Sequence, residues 1–380
     1  MVAGTSASVL LVDAGGDWAV PLAPARLYCD AAAPAAVAAL SVLAGGAPHT
    51  ASVPTASAAK AMAWWLEGQV GGSGVERALA AAASPAVVSA ADWIAALLAG
   101  DPARLAWTDD NNALKAGWDP GAGRYEPWLA AHPVSGWLAG RVVAPGAATV
   151  TVRAGAAHAL LPPGCVVAGG TTDSIAAYVA ARGAGDVAAP PPKTPTAVTS
   201  LGSSLALKLE SPVRVDDPAT GVYSHRLAGA WLVGGASNVG CKALADFFTP
   251  GQLAALSARI DPAVPSACDF YPLPAGMVGE RFPLTDPAAR AVVTPRPPDD
   301  AAFLAGLLEG IARVEASGYA RLAELGAPFP ASVLTAGGGA ANPVWAAIRA
   351  RVMGVDDVRA AVNGEAAYGA ALLARGCVQT

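Results

Sequence analysis

The stretch Gly169-Gly170-Thr171-Thr172-Asp173-Ser174 decides how the chain folds. It follows the apolar run 165–168 and precedes residues 175–181, where apolar side chains recur at helical spacing. The order is strand, glycine turn, helix. Two glycines allow the backbone to turn sharply and a ligand to approach closely.

Asp173 stands where the new helix still has unpaired N–H groups, and two roles are open to it. It can cap the helix, because aspartate commonly accepts a hydrogen bond from an N2 or N3 amide. It can also act as a general base that takes a proton from a substrate hydroxyl. Caps are much commoner than catalytic carboxylates, so this stretch alone favours the cap.

Length and composition indicate a globular protein of two domains with a cleft between them. The chain has 380 residues, of which 54% are hydrophobic, with alanine the commonest of them, and 14% are charged. Residues 31–47 are interrupted by Pro34 and a glycine pair, so they do not suit a membrane span. Residues 1–13 show no signal or transit peptide. We therefore expect a soluble intracellular protein without a membrane partner.

Charge and metal-ligand patterns exclude several classes of function. The net charge is −5 and basic residues are scattered, which predicts no nucleic-acid partner. The five cysteines lie far apart and the four histidines are dispersed. The expectation is reduced thiols, no structural zinc and no histidine-centred triad.

The first half reads as a sheet flanked by helices. Residues 9–12 predict a buried strand that follows the small polar turn 4–8. Periodicity predicts helices over residues 31–47, 57–66 and 93–98. The polar run Thr108–Asn112 suits either redundant helix caps or part of a substrate pocket.

The joint between the domains is predicted at residues 182–195, a loop segment without apolar periodicity. Beyond it, residues 197–201 and 205–209 predict a hairpin across Gly202-Ser203-Ser204. This turn suits an anion held by backbone amides, although an ordinary hairpin turn is the commoner explanation.

Two further units combine a strand with glycines. Residues 231–233 predict a strand that ends in a glycine turn and a cap over residues 234–238. Residues 332–336 predict a strand that runs into Gly337-Gly338-Gly339, after which Asn342 and Pro343 begin a helix. Small residues line a last helix over 365–374, so a neighbouring element must pack very close to it.

Four segments in this order resemble the FGGY carbohydrate kinases: residues 170–173, 199–204, 337–342 and 365–370. Residues 112–115, 221–225 and 279–283 look like the D-ribulose kinase branch of photosynthetic organisms, once grouped with xylulose kinases. The resemblance implies an α/β fold of two actin-like (ribonuclease H-like) domains. The expected domains are residues 1–187, which bind the sugar, and residues 188–380, which bind ATP.

The family's residue roles carry over position by position. Asp173 would be the general base, with Mg²⁺ as a possible neighbour. The sugar loop corresponds to Gly4, Thr5, Ser6 and Ala7. The second phosphate loop corresponds to Gly202, Ser203 and Ser204, and the adenosine motif to Gly338, Gly339, Ala340 and Asn342.

One departure concerns the start of the chain. Family members begin with a hairpin carrying an Asp-x-Gly-Thr phosphate loop, and this sequence starts after that point. We therefore expect a truncated first domain with an open sheet edge at residues 9–12 and impaired catalysis.

The resulting expectation is an ATP-dependent kinase of a ketopentose, foremost D-ribulose, that uses Mg²⁺ and ATP. The alternatives are a pseudokinase that binds nucleotide and sugar without efficient turnover, and an α/β protein of other chemistry. D-Ribulose and D-xylulose are not separable by physical argument from the sequence, and the family branch suggests a plastid as an alternative to the cytoplasm.

Overall fold

A computed structural model of the protein describes residues 1–156, 160–183 and 194–375. Helices and strands mix along both halves, which confirms the expected α/β class. The proposed joint at 182–195, with its boundary between residues 187 and 188, falls mainly outside the described residues. The position of the domain boundary therefore stays a prediction.

The first half contains short strands with helices around them. Its strands are β1 Ala3–Gly4, β2 Val9–Asp13, β3 Pro85–Ser89, β4 Trp107–Asp109, β5 Trp118–Asp119, β6 Arg124–Tyr125, β7 Arg141–Val143, β8 Ala148–Thr151, β9 Val166–Ala168 and β10 Thr171–Thr172. Its helices are α1 Pro34–Leu43, α2 Ser57–Gly68, α3 Gly74–Ala81, α4 Ala90–Ala99, α5 Asp110–Ala113, α6 Pro127–Ala130 and α7 Asp173–Arg182. The three predicted helices are present, and α1 is shorter than expected because Pro34 begins it.

The second half is built on one larger sheet. Its strands are β11 Thr196–Leu201, β12 Leu205–Ser211, β13 Tyr223–Leu227, β14 Ala230–Ser237, β15 Ser332–Ala336 and β16 Asp357–Ala360. Its helices are α8 Cys241–Ala245, α9 Pro250–Ser257, α10 Asp300–Glu324, α11 Pro343–Met353 and α12 Ala366–Arg375. In the described residues these strands form a six-stranded sheet in the order β13-β14-β12-β11-β15-β16. The predicted hairpin is its β11–β12 pair.

The expected open edge at residues 9–12 is wrong. Strand β2 is buried throughout and pairs with β3 in antiparallel register. On its other side, Val9 exchanges two backbone hydrogen bonds with Arg26, and the carbonyl of Leu11 accepts one from Leu22. Because the chain after β2 folds back along it, both sides of this strand have hydrogen-bond partners.

The glycines at 234 and 235 do not form the predicted turn. Strand β14 continues through them to Ser237, and α8 has Gly240 rather than Asn238 at its N-cap. A Cβ on Gly235 would lie 2.9 Å from the Phe282 ring, and one on Gly234 would lie 2.3 Å from the Leu207 carbonyl oxygen. These glycines therefore serve close packing within the sheet.

The small-residue face of α12 packs against α7. A Cβ on Gly369 would lie 1.8 Å from the carbonyl oxygen of Ala176, so only glycine allows this approach. Leu373 on α12 shares a buried cluster with Ile175 and Val179 on α7. The close neighbour predicted for the last helix is thus the helix that begins at Asp173.

A buried ion pair holds the helices that cover the larger sheet. Arg349 on α11 donates from Nε and a terminal nitrogen to both carboxylate oxygens of Glu315 on α10, each at 2.6 Å. Its remaining nitrogen donates to Thr335 Oγ1 on β15, also at 2.6 Å. Thr199 on β11 donates to Glu315 Oε1 at 2.5 Å. Two strands and two helices are therefore tied together at one buried point.

None of the helices in the described part of the chain combines the length and the apolar character that crossing a membrane requires.

Candidate active site

Asp173 is the first residue of α7 and lies half-buried at the end of β10. The N-cap position belongs to Thr172, whose side chain accepts no amide hydrogen bond. The Oδ1 of Asp173 accepts the Ser174 N–H at 2.7 Å, so the carboxylate satisfies one free amide without occupying the cap. Burial raises the pKa of Asp173 above 3.8, against the opposing effects of the Ser174 amide and the charges of Lys208 and Lys115. A raised pKa suits a proton acceptor.

The predicted sugar loop lies beside Asp173. Strands β1 and β10 are parallel, with Gly4 opposite Thr172, so Thr5 and Asp173 leave adjacent strands at the same sheet edge. The Oγ of Ser6 is buried and has no partner among the described residues. A buried hydroxyl without a partner is suited to form a hydrogen bond with a polar ligand that binds beside it.

Lys60 is a fully buried lysine that the sequence analysis did not identify, and it fixes this loop. Its Nζ donates to the carbonyl oxygens of Ala7 at 2.7 Å and Leu27 at 2.6 Å. Ala7 has a φ of 62°, a left-handed conformation that costs a residue with a side chain some strain. The hydrogen bond from the Lys60 ammonium group to the Ala7 carbonyl stabilises this turn.

The polar run 108–112 serves as a helix cap and contacts the turn that leads to Asp173. Asp109 Oδ1 accepts the N–H groups of Asn111 and Asn112 at 2.9 and 3.1 Å. The Nδ2 of Asn111 donates to Thr171 Oγ1 at 3.0 Å, with both side chains buried. The cap expectation is confirmed, and the run also contacts the strand that leads to Asp173.

Asp109 predicts a pH dependence of stability. Burial, followed by the negative charge of Asp92, raises the pKa of Asp109 to about 7. The pKa of Asp109 is higher in the folded state than in the unfolded state, where it is near 3.8. Protonation of Asp109 therefore stabilises the fold fully below pH 3.8, and this stabilisation is lost as pH rises through about 7. We expect Asp109→Asn, which keeps the shape, to flatten the fall in melting temperature between pH 5 and pH 8.

The comparison requires thermal melts of both proteins in the same buffers. Asparagine at 109 can still accept both α5 amides through its oxygen, and the Asn112 amide can reverse to complete the pair. Melting temperatures that fall in parallel for parent and variant would show that Asp109 does not titrate in this range.

The predicted nucleotide segments meet at one end of the larger sheet. A Cβ on Gly337 would lie 2.6 Å from the Leu201 carbonyl oxygen, and one on Gly240 would lie 2.6 Å from the Ser203 carbonyl oxygen. Gly338 faces open space, because a Cβ there would meet nothing within 4 Å. Gly339 instead packs against Leu201, so the two glycines differ in their surroundings.

The predicted adenosine motif ends where helix α11 begins. Asn342 Oδ1 accepts the Trp345 N–H at 3.1 Å, and Pro343 is the first residue of α11. This confirms the predicted N-cap and proline. Ala340 is half-buried and lies in the short turn between Gly339 and Asn342. The motif thus combines an exposed glycine backbone with a rigid helix beginning.

A cleft of about 390 Å³ separates the two halves next to Asp173. From the first half it is lined by Thr50, Val53, Thr55, Lys115 and Ser174. From the second half it is lined by Ala206, Lys208, Pro218, Thr220, Gly221, Tyr223, Gly234, Gly235, Ala236 and Arg281. Sequence reasoning assigned no role to Lys115, Lys208 or Tyr223, because only the tertiary fold brings them together.

The described residues contain no group of three or more histidine, cysteine or acidic side chains placed to hold a metal ion. The Oδ2 of Asp173 accepts no hydrogen bond within the described residues, so one hard oxygen is available to a cation. A single carboxylate fits Mg²⁺ that arrives with nucleotide phosphates, since Mg²⁺ is commonly bound by one or two carboxylates plus substrate.

Several solved structures of carbohydrate kinases share this fold. The structure superimposes with a TM-score of 0.78 on a xyloylose kinase from Brucella ovis, at 22% identity over 99% of this chain and 75% of that one. The TM-score with a xylulose kinase from Bifidobacterium adolescentis is 0.73, at 21% identity over 99% of this chain and 80% of that one. The TM-score with Plasmodium falciparum glycerol kinase with ADP is 0.77, at 15% identity over 99% of this chain and 74% of that one. These likenesses confirm the fold of two actin-like domains.

A family model also matches part of the chain. Residues 197–375 match the model of the C-terminal domain of the FGGY family of carbohydrate kinases. This match to the second half of the chain supports the resemblance that the sequence motifs indicate.

Proposed function

We propose that the protein is an ATP-dependent kinase of a ketopentose, which converts D-ribulose to D-ribulose 5-phosphate. The observation that carries the proposal is the half-buried carboxylate of Asp173, with a raised pKa, beside a cleft between the two halves. The match of residues 197–375 to the model of the FGGY C-terminal domain supports the kinase activity.

In the proposed reaction, a terminal hydroxyl oxygen of the sugar attacks the γ-phosphorus of ATP. The hydroxyl proton passes to Asp173, the bond from the γ-phosphorus to the bridging oxygen breaks, and ADP leaves with that oxygen. Ser6 supplies a hydroxyl for the sugar, since its Oγ is buried without a partner among the described residues. Bound Mg²⁺ would neutralise charge on the β- and γ-phosphate oxygens.

The choice of D-ribulose rests on three segments that resemble the D-ribulose kinase branch. Each of them, 112–115, 221–225 and 279–283, contributes a side chain to the same cleft: Lys115, Tyr223 and Arg281. Since these segments are distant in sequence, their convergence on one cleft supports the resemblance from which D-ribulose is proposed.

A coupled ATP-consumption assay over a panel of ketopentoses and polyols tests the proposal. The expected result is the highest kcat/KM for D-ribulose, with D-xylulose second. A higher kcat/KM for D-xylulose would change the assigned substrate but leave the assignment as a kinase in place. Binding of ADP and sugar without turnover of any panel member would favour the pseudokinase alternative.

Gly338→Arg tests the assignment of the adenosine motif. Because a Cβ at Gly338 meets nothing within 4 Å, the larger side chain fits the fold and projects where the nucleotide would lie. We expect the affinity for ADP to fall at least roughly tenfold, the loss for about 1.4 kcal/mol of binding energy, with an unchanged melting temperature. Calorimetry with ADP measures the change.

Gly251→Arg is the matched control. Gly251 lies in α9 of the same half and also has open space around it, but it belongs to none of the nucleotide segments. Its ADP affinity should equal that of the parent. Unchanged ADP binding by a folded Gly338→Arg protein would remove the nucleotide role of this segment.

A further inference from the structure

Two lysines, one from each half of the chain, converge on a single aromatic ring in the cleft. Lys115 follows α5, and Lys208 lies in β12. Their Nζ atoms lie 5.6 and 5.8 Å from the ring centroid of Tyr223. Both contacts are within the range of a cation–π interaction. The ring therefore holds two ammonium groups at the opening between the halves.

Neither ammonium group has an acidic partner among the residues that the structure describes. Within residues 1–156, 160–183 and 194–375, no carboxylate oxygen lies within 4.0 Å of the Nζ of Lys115 or Lys208. Lys208 instead lies 3.4 Å from Nδ1 of His225. Burial, together with the charges of both lysines, holds the pKa of His225 well below 6.5, so its ring is neutral and accepts this contact. The histidine orients Lys208 without neutralising it.

The strand beside Lys208 leaves room for its stem. A Cβ on Gly234 would lie only 2.9 Å from Cδ of Lys208, so glycine at this position lets the lysine lie along β14 and reach the cleft. The cleft wall formed by Gly234, Gly235 and Ala236 has little side-chain bulk. An anion in the cleft could approach this wall closely.

Lys60 shows what a structural lysine looks like in this protein. Its Nζ is completely buried and is held by two backbone carbonyls at 2.6 and 2.7 Å. Lys115 and Lys208 have no such carbonyl partners among the described residues, and both line a cavity of about 390 Å³. Burial lowers the pKa of Lys208, which is the cost of a charge that still lacks an opposite partner.

We propose that Lys115 and Lys208 form a two-sided clamp for the phosphoryl group during its transfer. This inference rests on the proposed kinase function. As the sugar oxygen bonds to the γ-phosphorus and the bond to ADP breaks, negative charge is spread over the three equatorial phosphoryl oxygens. Asp173 takes the hydroxyl proton, and the two ammonium groups bind the phosphoryl oxygens from opposite halves.

The clamp explains why the two cations come from different halves. Each lysine alone supplies one charge, and both act together only when the halves enclose the reacting groups. The charges of Lys208 and Lys115 also favour the ionised form of Asp173, so the same two groups keep the base ready before transfer. Binding of the phosphoryl group is thereby coupled to the position of the general base.

Lys115→Met and Lys208→Met test the clamp in the full chain, with Lys115→Arg and Lys208→Arg as variants that keep the charge. Removing one preorganised donor for transition-state charge typically lowers kcat by about 10²–10³. We expect a loss of this size for each methionine variant, partial rescue by arginine, and a change in sugar affinity of less than about threefold. Arg77→Gln, an exposed charge loss on α3, should behave as the parent does.

A binding measurement separates this inference from the kinase proposal. Orthovanadate in the presence of Mg-ADP mimics the phosphoryl group in flight and requires no sugar turnover. The expected result is vanadate binding by the parent and at least roughly tenfold weaker binding by Lys208→Met. If the parent phosphorylates no sugar but still binds vanadate more tightly than Lys208→Met does, the proposed substrate is wrong and the clamp is supported. Equal vanadate affinities, or a kcat of both methionine variants within threefold of the parent, would overturn the clamp.

Discussion

Replacing Asp173 with asparagine is expected to lower turnover by about a hundredfold or more while the melting temperature stays near that of the parent. The physical reason is that asparagine keeps the size of the side chain and can still accept the Ser174 N–H, which aspartate accepts at 2.7 Å. It cannot take the proton of a sugar hydroxyl. The measurement pairs a steady-state kinase assay with a thermal melt.

The pH profile adds a second readout for the same residue. Because burial raises the pKa of Asp173 above 3.8, parent activity should fall as pH drops through that raised value and the base becomes protonated. The residual activity of Asp173→Asn should lack this fall. Asp17→Asn, an exposed change of the same charge, should leave rate and profile intact. A variant at 173 with parental turnover and a lower melting temperature would make the carboxylate a structural group.

Local signals explain what the sequence predicted correctly. Asn342 and Pro343 begin a helix because their preferences act within a few residues, and the structure confirms this N-cap. The hairpin at β11 and β12 follows from two apolar runs joined by a short polar turn. The small residues of α12 correctly indicated close packing, although no local signal identified α7 as the partner.

The errors arose where tertiary contacts decide the outcome. Gly234 and Gly235 have the composition of a turn, yet they lie in a strand because Phe282 and Leu207 leave no room for a side chain. An open edge of β2 was the expectation because the family's preceding hairpin would supply its partners, yet in the fold residues 21–26 cover this edge. Hydrogen bonds between distant backbone segments have no sequence signature of their own.

The candidate site divides in the same way. Asp173 follows a strand and two glycines, so its place at a sheet edge could be predicted from adjacent residues. Lys115 and Lys208 come together only across the cleft, and no local sequence signal pairs them. Residue groups that span two halves of a chain therefore require the fold before they can be recognised.

Arg349→Met is expected to give the largest loss of stability, about 3–5 kcal/mol in the free energy of unfolding of the second half. The substitution removes the partner of Glu315, whose side chain is 0% exposed and would keep an uncompensated charge in the core. It also removes the hydrogen bond to Thr335 on β15, the strand that leads to Gly337. Chemical denaturation followed by tryptophan fluorescence measures the loss, since Trp345 is buried on the same helix.

Two further variants decide whether the loss comes from the unpaired charge. The double variant Arg349→Met with Glu315→Gln should recover much of the stability, because it removes the buried charge together with its partner. Arg259→Met breaks the exposed ion pair with Asp299, whose side chains are 58% and 52% exposed, and should cost no more than about 1 kcal/mol. If Arg349→Met cost as little as Arg259→Met, the buried pair would not be what holds α10 and α11 against the sheet. A large loss at Arg349 that the double variant did not relieve would assign the effect to packing and to the Thr335 hydrogen bond rather than to charge.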